Sequence, residues 1–291
     1  MPYLYLIVAV LCSASGCILC AFYNRKNKDE QDVSIFYTIL LLISNFVCWL
    51  TLFLIDGAFT WAVLPHALLF AAGYIVCNFV FIKALKIGSV SLTSLILQLS
   101  LIGTTVWGFC FWDTAFTLLI GLGLALVVVS LSLCLYPGKG EKQPFNIKWL
   151  LLVLIIFLSN ACCLIVQKTQ QMQFDEQYGP CMMMFATGVS ALAAVGIFLR
   201  EDKVKAKRVL KGSWYFPVLA GGLNAVLNLF VILLAGTDLS TSIIYPVLSI
   251  GGLMITTLVS MFIFEEKMRW WQWVGIAVGI AAIGLLCYAT A

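Results

Sequence analysis

Charge is scarce in this sequence: Asp, Glu, Lys and Arg make up 10% of its 291 residues, against 63% hydrophobic residues. Soluble domains carry about 25% charged residues, so that class is excluded. Histidine is all but absent, with His66 alone. No HExxH, no GxSxG and no phosphate-binding glycine loop occurs. Acidic residues are missing from the middle of every apolar run: Asp56, Asp113, Asp175, Asp238 and Glu265 stand at ends or turns. An enzyme working inside a membrane needs a nucleophile with its base, or metal ligands. Neither set is present, so the sequence points to no catalytic residue, no metal and no cofactor. The N-x-S/T sequon is absent as well.

What fills the chain instead is apolar sequence. Runs of about 20 residues, each able to cross a hydrocarbon core of about 30 Å as a helix, recur from end to end. They predict an all-α polytopic membrane protein with spans near 3–23, 34–55, 62–86, 89–112, 114–136, 148–170, 180–199, 214–236, 240–263 and 271–289. The first run has no basic residues before it, while Arg25, Lys26 and Lys28 follow it. It therefore reads as a retained helix with its N-terminus outside. With that orientation the alternate loops hold every basic residue of the 17 except Lys168. This is a strong positive-inside pattern, and it puts both termini outside the cytoplasmic membrane. The pI near 8.4 records those loops and carries no nucleic-acid footprint. The basic loop at 201–208 reads as solvated, with anionic lipid as an alternative partner.

The 11 cysteines all fall within or at the ends of apolar runs. Cys17 and Cys20 have the spacing of a metal or redox pair, yet no second pair or histidine accompanies them. They read as small buried side chains.

The chain looks like one unit written twice. Ser89, Ser91, Thr105 and Phe111 meet Ser240, Ser242, Thr256 and Phe262 at a constant offset. After a one-residue slip, Asp113, Gly123, Ala125 and Tyr136 meet Glu265, Gly275, Ala277 and Tyr288. Five helices per copy is an odd number, so the second copy enters from the opposite side. The expected organisation is two inverted five-helix repeats, 1–136 and 148–291, joined by a polar cytoplasmic linker at 137–147. Inverted repeats suit alternating access.

Ala84-Leu85 followed by Gly88-Ser89-Val90-Ser91, an acidic turn at Asp113 and a Gly-rich helix from Gly121 recur as Leu234-Ala235, Ser240-Thr241-Ser242, Glu265-Glu266 and Gly275. On these residues the chain resembles the ten-helix, EamA-type members of the drug/metabolite transporter superfamily, over essentially all ten spans. The first copy departs in having a lone Asp at its turn and no proline matching Pro246. The resemblance implies a permease: a basket of helices around a central cavity, with the third, fourth, eighth and ninth prominent in its wall. It also favours export. The small multidrug resistance relatives use an embedded carboxylate, which this chain lacks, so a carboxylate-driven antiporter is disfavoured.

Polar side chains within lipid are costly and face a cavity or another helix. Tyr74 and Asn78 stand four apart, on one face of the third helix, and Asn224 and Asn228 repeat that spacing on the eighth. These four, with Gln98 and Tyr245, are the candidate substrate-binding groups. Trp107, with Trp49 and Phe79, is a candidate wall for a planar moiety. Lys83, a turn deeper than Lys86, is a candidate partner for a substrate carboxylate or phosphate, with snorkelling to headgroups as the alternative. Trp270, Trp271 and Trp273 read as an interfacial aromatic belt. Gly275 with Gly279, and Gly121 with Ala125, form small faces that either seat helices in the bundle or join two copies in a homodimer. The expected function is a secondary transporter of a small neutral, zwitterionic or amphipathic metabolite or drug-like compound. A coupling proton or ion, a lipid-carrier flippase on the same fold and a non-transporting receptor or scaffold stay open.

Overall fold

An apolar segment in lipid has no water to satisfy its backbone, so it closes its N–H and C=O groups internally as helix. The computed structural model of the chain describes residues 2–27, 33–87, 90–112, 116–135, 147–199, 212–237, 239, 241–263 and 269–289. All regular structure among them is helical. In chain order the helices are α1 (Pro2–Lys26), α2 (Val33–Asp56), α3 (Leu64–Ile87, entered through a 3-10 turn at Trp61–Val63), α4 (Val90–Phe111) and α5 (Leu118–Leu135). They continue with α6 (Ile147–Gln173), α7 (Gly179–Phe198), α8 (Tyr215–Ala235), α9 (Thr241–Ile263) and α10 (Trp270–Ala289).

Six of these helices, α1–α3 and α6–α8, are long and apolar enough to cross a membrane. Leu54, Ile55, Leu118 and Leu192 are each more than 70% exposed. Soluble monomers avoid exposing contiguous apolar surface on that scale, whereas lipid-facing helices require it. The molecule is a helical membrane protein.

Helix ends lie within a few residues of the sequence expectation, and two of the larger differences are these. α5 begins at Leu118 rather than 114, and α6 runs to Gln173 rather than 170. The second difference has a clear cause. Gln170 and Gln171 are buried, and Gln170 Nε2 donates to the Gln177 carbonyl at 2.8 Å. A polar stretch that reads as loop is thereby kept helical. Beyond it the chain turns through Asp175, Glu176 and Tyr178, all with positive φ, and Pro180 sits in the first turn of α7, where its fixed φ fits.

The packing pairs α1 with α8 and α9, α3 with α6 and α7, α2 with α7 and α8, α4 with α6 and α9, and α5 with α10. The largest core lies among α1, α2, α3, α6, α7 and α8, around Trp49, Tyr23, Phe70 and Met182. A smaller one, around Val127, Ile250 and Leu286, joins α5, α9 and α10. The glycine face of α10 is occupied within the bundle. A Cβ on Gly279 would stand 2.7 Å from Ser130 Oγ and 2.9 Å from Ile250 Cγ2. Ser130 Oγ also donates to the Gly275 carbonyl at 2.6 Å. Trp270 and Trp273 are exposed at one end of the same helix, as an aromatic belt requires.

Asp113, Glu265, Glu266, Ser89, Ser240, the linker from 137 to 146 and the basic loop at 201–208 lie outside the described residues, as do the side chains of Gln98, Lys86, Ser91 and Ser242.

Candidate functional site

A cavity of about 270 Å³ opens in the middle of the bundle, lined from α1, α2, α3, α4, α6, α8 and α9. Its wall contains Tyr74 and Asn78 of α3 and Asn224 and Asn228 of α8, so the two pairs singled out by spacing do meet in one place. Asn160 and Gln167, seven apart on α6, join them there. Phe70, Phe81 and Tyr37 supply aromatic surface, and Cys12, Cys17, Cys20, Cys77 and Cys163 contribute small side chains. Among the described lining residues none carries a charge.

The polar groups form one connected network. Asn224 Oδ1 is its hub, accepting from Asn45 Nδ2 at 2.7 Å, Tyr74 Oη at 2.8 Å and Asn228 Nδ2 at 2.9 Å. Asn45 Nδ2 also approaches Tyr74 Oη at 3.2 Å. Gln167 Nε2 donates to Asn228 Oδ1 at 2.9 Å, carrying the network from α8 into α6. The second residue of each pair also bonds back to its own helix. Asn78 Nδ2 donates to the Tyr74 carbonyl and Asn228 Nδ2 to the Asn224 carbonyl, both at 2.8 Å. On a second branch, Asn160 Nδ2 donates to Ser100 Oγ at 2.6 Å, and Ser100 Oγ donates to the Leu97 carbonyl. Two buried acceptors have no partner: Asn45 Oδ1 at one end of the network and Gln167 Oε1 at the other.

The remaining candidates sit elsewhere. Tyr245 is buried in a cluster with Leu6, Val10, Leu164 and Leu248 and does not itself line the cavity. Trp107 is 39% exposed and stacks on Phe111, with ring centroids 4.1 Å apart. Lys83 is exposed at the end of α3 and does not line the cavity. Trp49 is wholly buried in the core, with its indole nitrogen unpartnered. His66 meets the Phe174 ring edge-on and lies outside the cavity wall. The sequence reading missed Phe70, Phe81, Tyr37 and the five cysteines. Apolar side chains on a helix carry no mark distinguishing a cavity face from a core face, and cysteine behaves as a small hydrophobe.

No protein-family model matches the chain, and no curated protein matches it. A solved crystal structure of a protein superposes on 99% of this chain and 97% of its own, with a TM-score of 0.75 and 13% sequence identity. The chain thus shares a known fold over its whole described length. At that identity the likeness concerns the fold alone, and function has to be argued from the cavity.

Asn78 differs from Asn228 in what it holds. Its one bond runs to its own helix, whereas Asn228 also partners Gln167. Asn78→Leu is therefore expected to cost less than about 1 kcal/mol, as for a substitution that strands no buried partner. Asn228→Leu should cost more, because Gln167 Nε2 loses its carboxamide acceptor. Melting curves of the two purified variants against wild type check the ordering.

Proposed function

We propose that the chain is a secondary transporter, moving a small, uncharged or amphipathic solute across the cytoplasmic membrane by alternating access. The observation that carries the reading is the central uncharged polar cavity, walled by matching Tyr74/Asn78 and Asn224/Asn228 pairs on two helices. Polar groups brought into a bundle at this cost are retained where they serve a pathway or hold helices together. These do both.

The pairing of the helices supports a duplicated, inverted architecture of EamA type. Exchange α1–α5 for α6–α10 in order. The α1–α8 pair then becomes α6–α3, α2–α8 becomes α7–α3, and α1–α9 becomes α6–α4, all of which are packed pairs. The pairs α2–α7, α4–α9 and α5–α10 map onto themselves. The largest packed pairs survive this exchange, as a pseudo-two-fold relation between the halves would produce. The odd number of helices per half and the charge rule supply the inversion, ten spans and both termini outside in this reading.

On α1 the cavity wall runs from Cys12 to Ala21 and on α2 it includes Tyr37 and Leu41, on the side of Arg25 and Lys26, while on α6 it lies at residues 160–167 in the middle of the bundle. By the charge rule the side of Arg25 and Lys26 is the cytoplasmic end. Two contacts stand near the other end of α8. Lys168 Nζ donates to the Ala235 carbonyl at the end of α8, and the Glu176 carboxylate packs over Gly236. In this reading the molecule faces the cytoplasm, with solute able to enter or leave there.

Purified protein in sealed liposomes should pass a tritiated solute that also raises its melting temperature, since a ligand binding only the folded state must do so. Asn78→Leu should lose both effects. If liposomes with and without protein take up every solute at the same rate, while lipid-linked sugars cross faster with protein present, a flippase replaces this reading.

A further inference from the structure

We infer that the cavity selects uncharged molecules whose buried end carries N–H donors beside one acceptor: primary amides, ureas and amino-substituted heterocycles. The inference rests on reading this cavity as the substrate site.

Backbone carbonyls only accept hydrogen bonds, and they orient the carboxamides here. The Tyr74 carbonyl takes Asn78 Nδ2, so Asn78 Oδ1 must point the other way. The Asn224 carbonyl takes Asn228 Nδ2, so Asn228 Oδ1 is free to receive Gln167 Nε2. That leaves Gln167 Oε1 buried and unpaired. Ser100 gives its proton to the Leu97 carbonyl, so its oxygen must accept from Asn160 Nδ2, which turns Asn160 Oδ1 outward. Asn224 Oδ1 is saturated by three donors, and its amide nitrogen has no acceptor among the described residues.

The cavity therefore presents acceptor oxygens from Asn78 and Asn160, with a third from Gln167 beneath the surface, and a donor nitrogen from Asn224. This is the complement of an amide edge, the same match by which Asn and Gln read the amino and ring-nitrogen edge of adenine. Ions fit poorly. A carboxylate or phosphate would be set against amide oxygens, and an ammonium would find no counter-ion, so either would lose its hydration without compensation. Phe81, half-buried in the cavity wall, offers a face against which a flat ring can stack. The volume of about 270 Å³ suits one or two fused rings.

The test is calorimetric titration of purified protein with adenine, nicotinamide and benzamide. Their controls are N6,N6-dimethyladenine, N,N-dimethylnicotinamide, nicotinate and benzylammonium. The expected result is binding of the three parent compounds, weakened about tenfold or more when the donors are methylated, as for one lost hydrogen bond in a desolvated site. Nicotinate and benzylammonium should not bind. Asn78→Asp keeps the shape and the acceptor and adds a negative charge, so it should gain benzylammonium binding while still binding nicotinamide. Asn160→Leu should weaken all three parents, with its unliganded melting temperature recorded as the folding control. The inference is overturned if none of the parents binds, if methylation makes no difference, or if nicotinate binds as well as nicotinamide. Transport is scored separately in liposomes. Amides that bind without crossing would refute the transporter reading and leave the selectivity standing. Carboxylates that cross would do the reverse.

Discussion

Asn224→Leu is expected to stop uptake and to cost about 2 kcal/mol of stability, because it removes three side-chain hydrogen bonds worth about 0.6 kcal/mol each in a membrane bundle. Asn224 Oδ1 is where α2, α3 and α8 meet: Asn45, Tyr74 and Asn228 all donate to it. Without it, Asn45 loses its shortest bond and keeps only the longer one to Tyr74. The buried Tyr74 hydroxyl loses its acceptor. Stranding buried donors is costlier than removing both partners of a bond. A double variant, Asn224→Leu with Tyr74→Phe, should therefore be closer to wild type in melting temperature than the sum of the single changes. Simple additivity would show that the two side chains are not coupled. Unchanged uptake in Asn224→Leu would remove the network from the transport path.

Gly221→Val should be as damaging, for a steric reason. A Cβ at this position on α8 would stand 2.5 Å from the Leu41 carbonyl oxygen and 2.8 Å from Ser44 Cβ on α2. A backbone carbonyl cannot rotate aside, so α2 and α8 must separate. Separation also strains the bond from Ser44 Oγ to the Val218 carbonyl, now 2.8 Å. Overpacking of this kind costs about 1–3 kcal/mol, and it would displace Asn45 from Asn224 by the same movement. The neighbouring residue supplies the control. Gly222 has nothing within 4 Å of its Cβ direction, and alanine is a better helix former than glycine by about 1 kcal/mol. Gly222→Ala should be neutral or stabilising. Thermal unfolding of Gly221→Val, Gly221→Ala and Gly222→Ala side by side decides it. Equal melting temperatures for all three would refute the close approach of α2 and α8.

The helical class and the position of nearly every helix were legible because lipid leaves a backbone few options, and apolar runs announce themselves. The exceptions were polar. Residues 171–173 read as loop, yet the turn beyond them, where Gln170 bonds the Gln177 carbonyl, makes helix the better state. The cavity was half legible. Spacing of four brought out Tyr74 with Asn78 and Asn224 with Asn228, because two polar side chains on one face of an apolar helix have few reasons to coincide. Their partners were harder to place. Asn45, Asn160 and Gln167 are each conspicuous as polar residues within spans, but which of them meet depends on helix rotation, which sequence does not encode locally. Tyr245 shows the converse. It looks like a binding residue by type and lies buried among aliphatic side chains. Lys83 was a candidate by depth, and its side chain ends exposed beyond the cavity.

Neither α5 nor α10 contributes a described residue to the cavity wall, and the two are locked to each other through Ser130 and Gly275. They therefore offer a fixed reference for spectroscopy. A spin label at Tyr288, which is 76% exposed, can serve as the stationary end of a distance ruler. Under the proposed alternating access, a second label on α1 or α8 would register a change in distance when solute is added. Two labels both placed on the α5–α10 pair should register none.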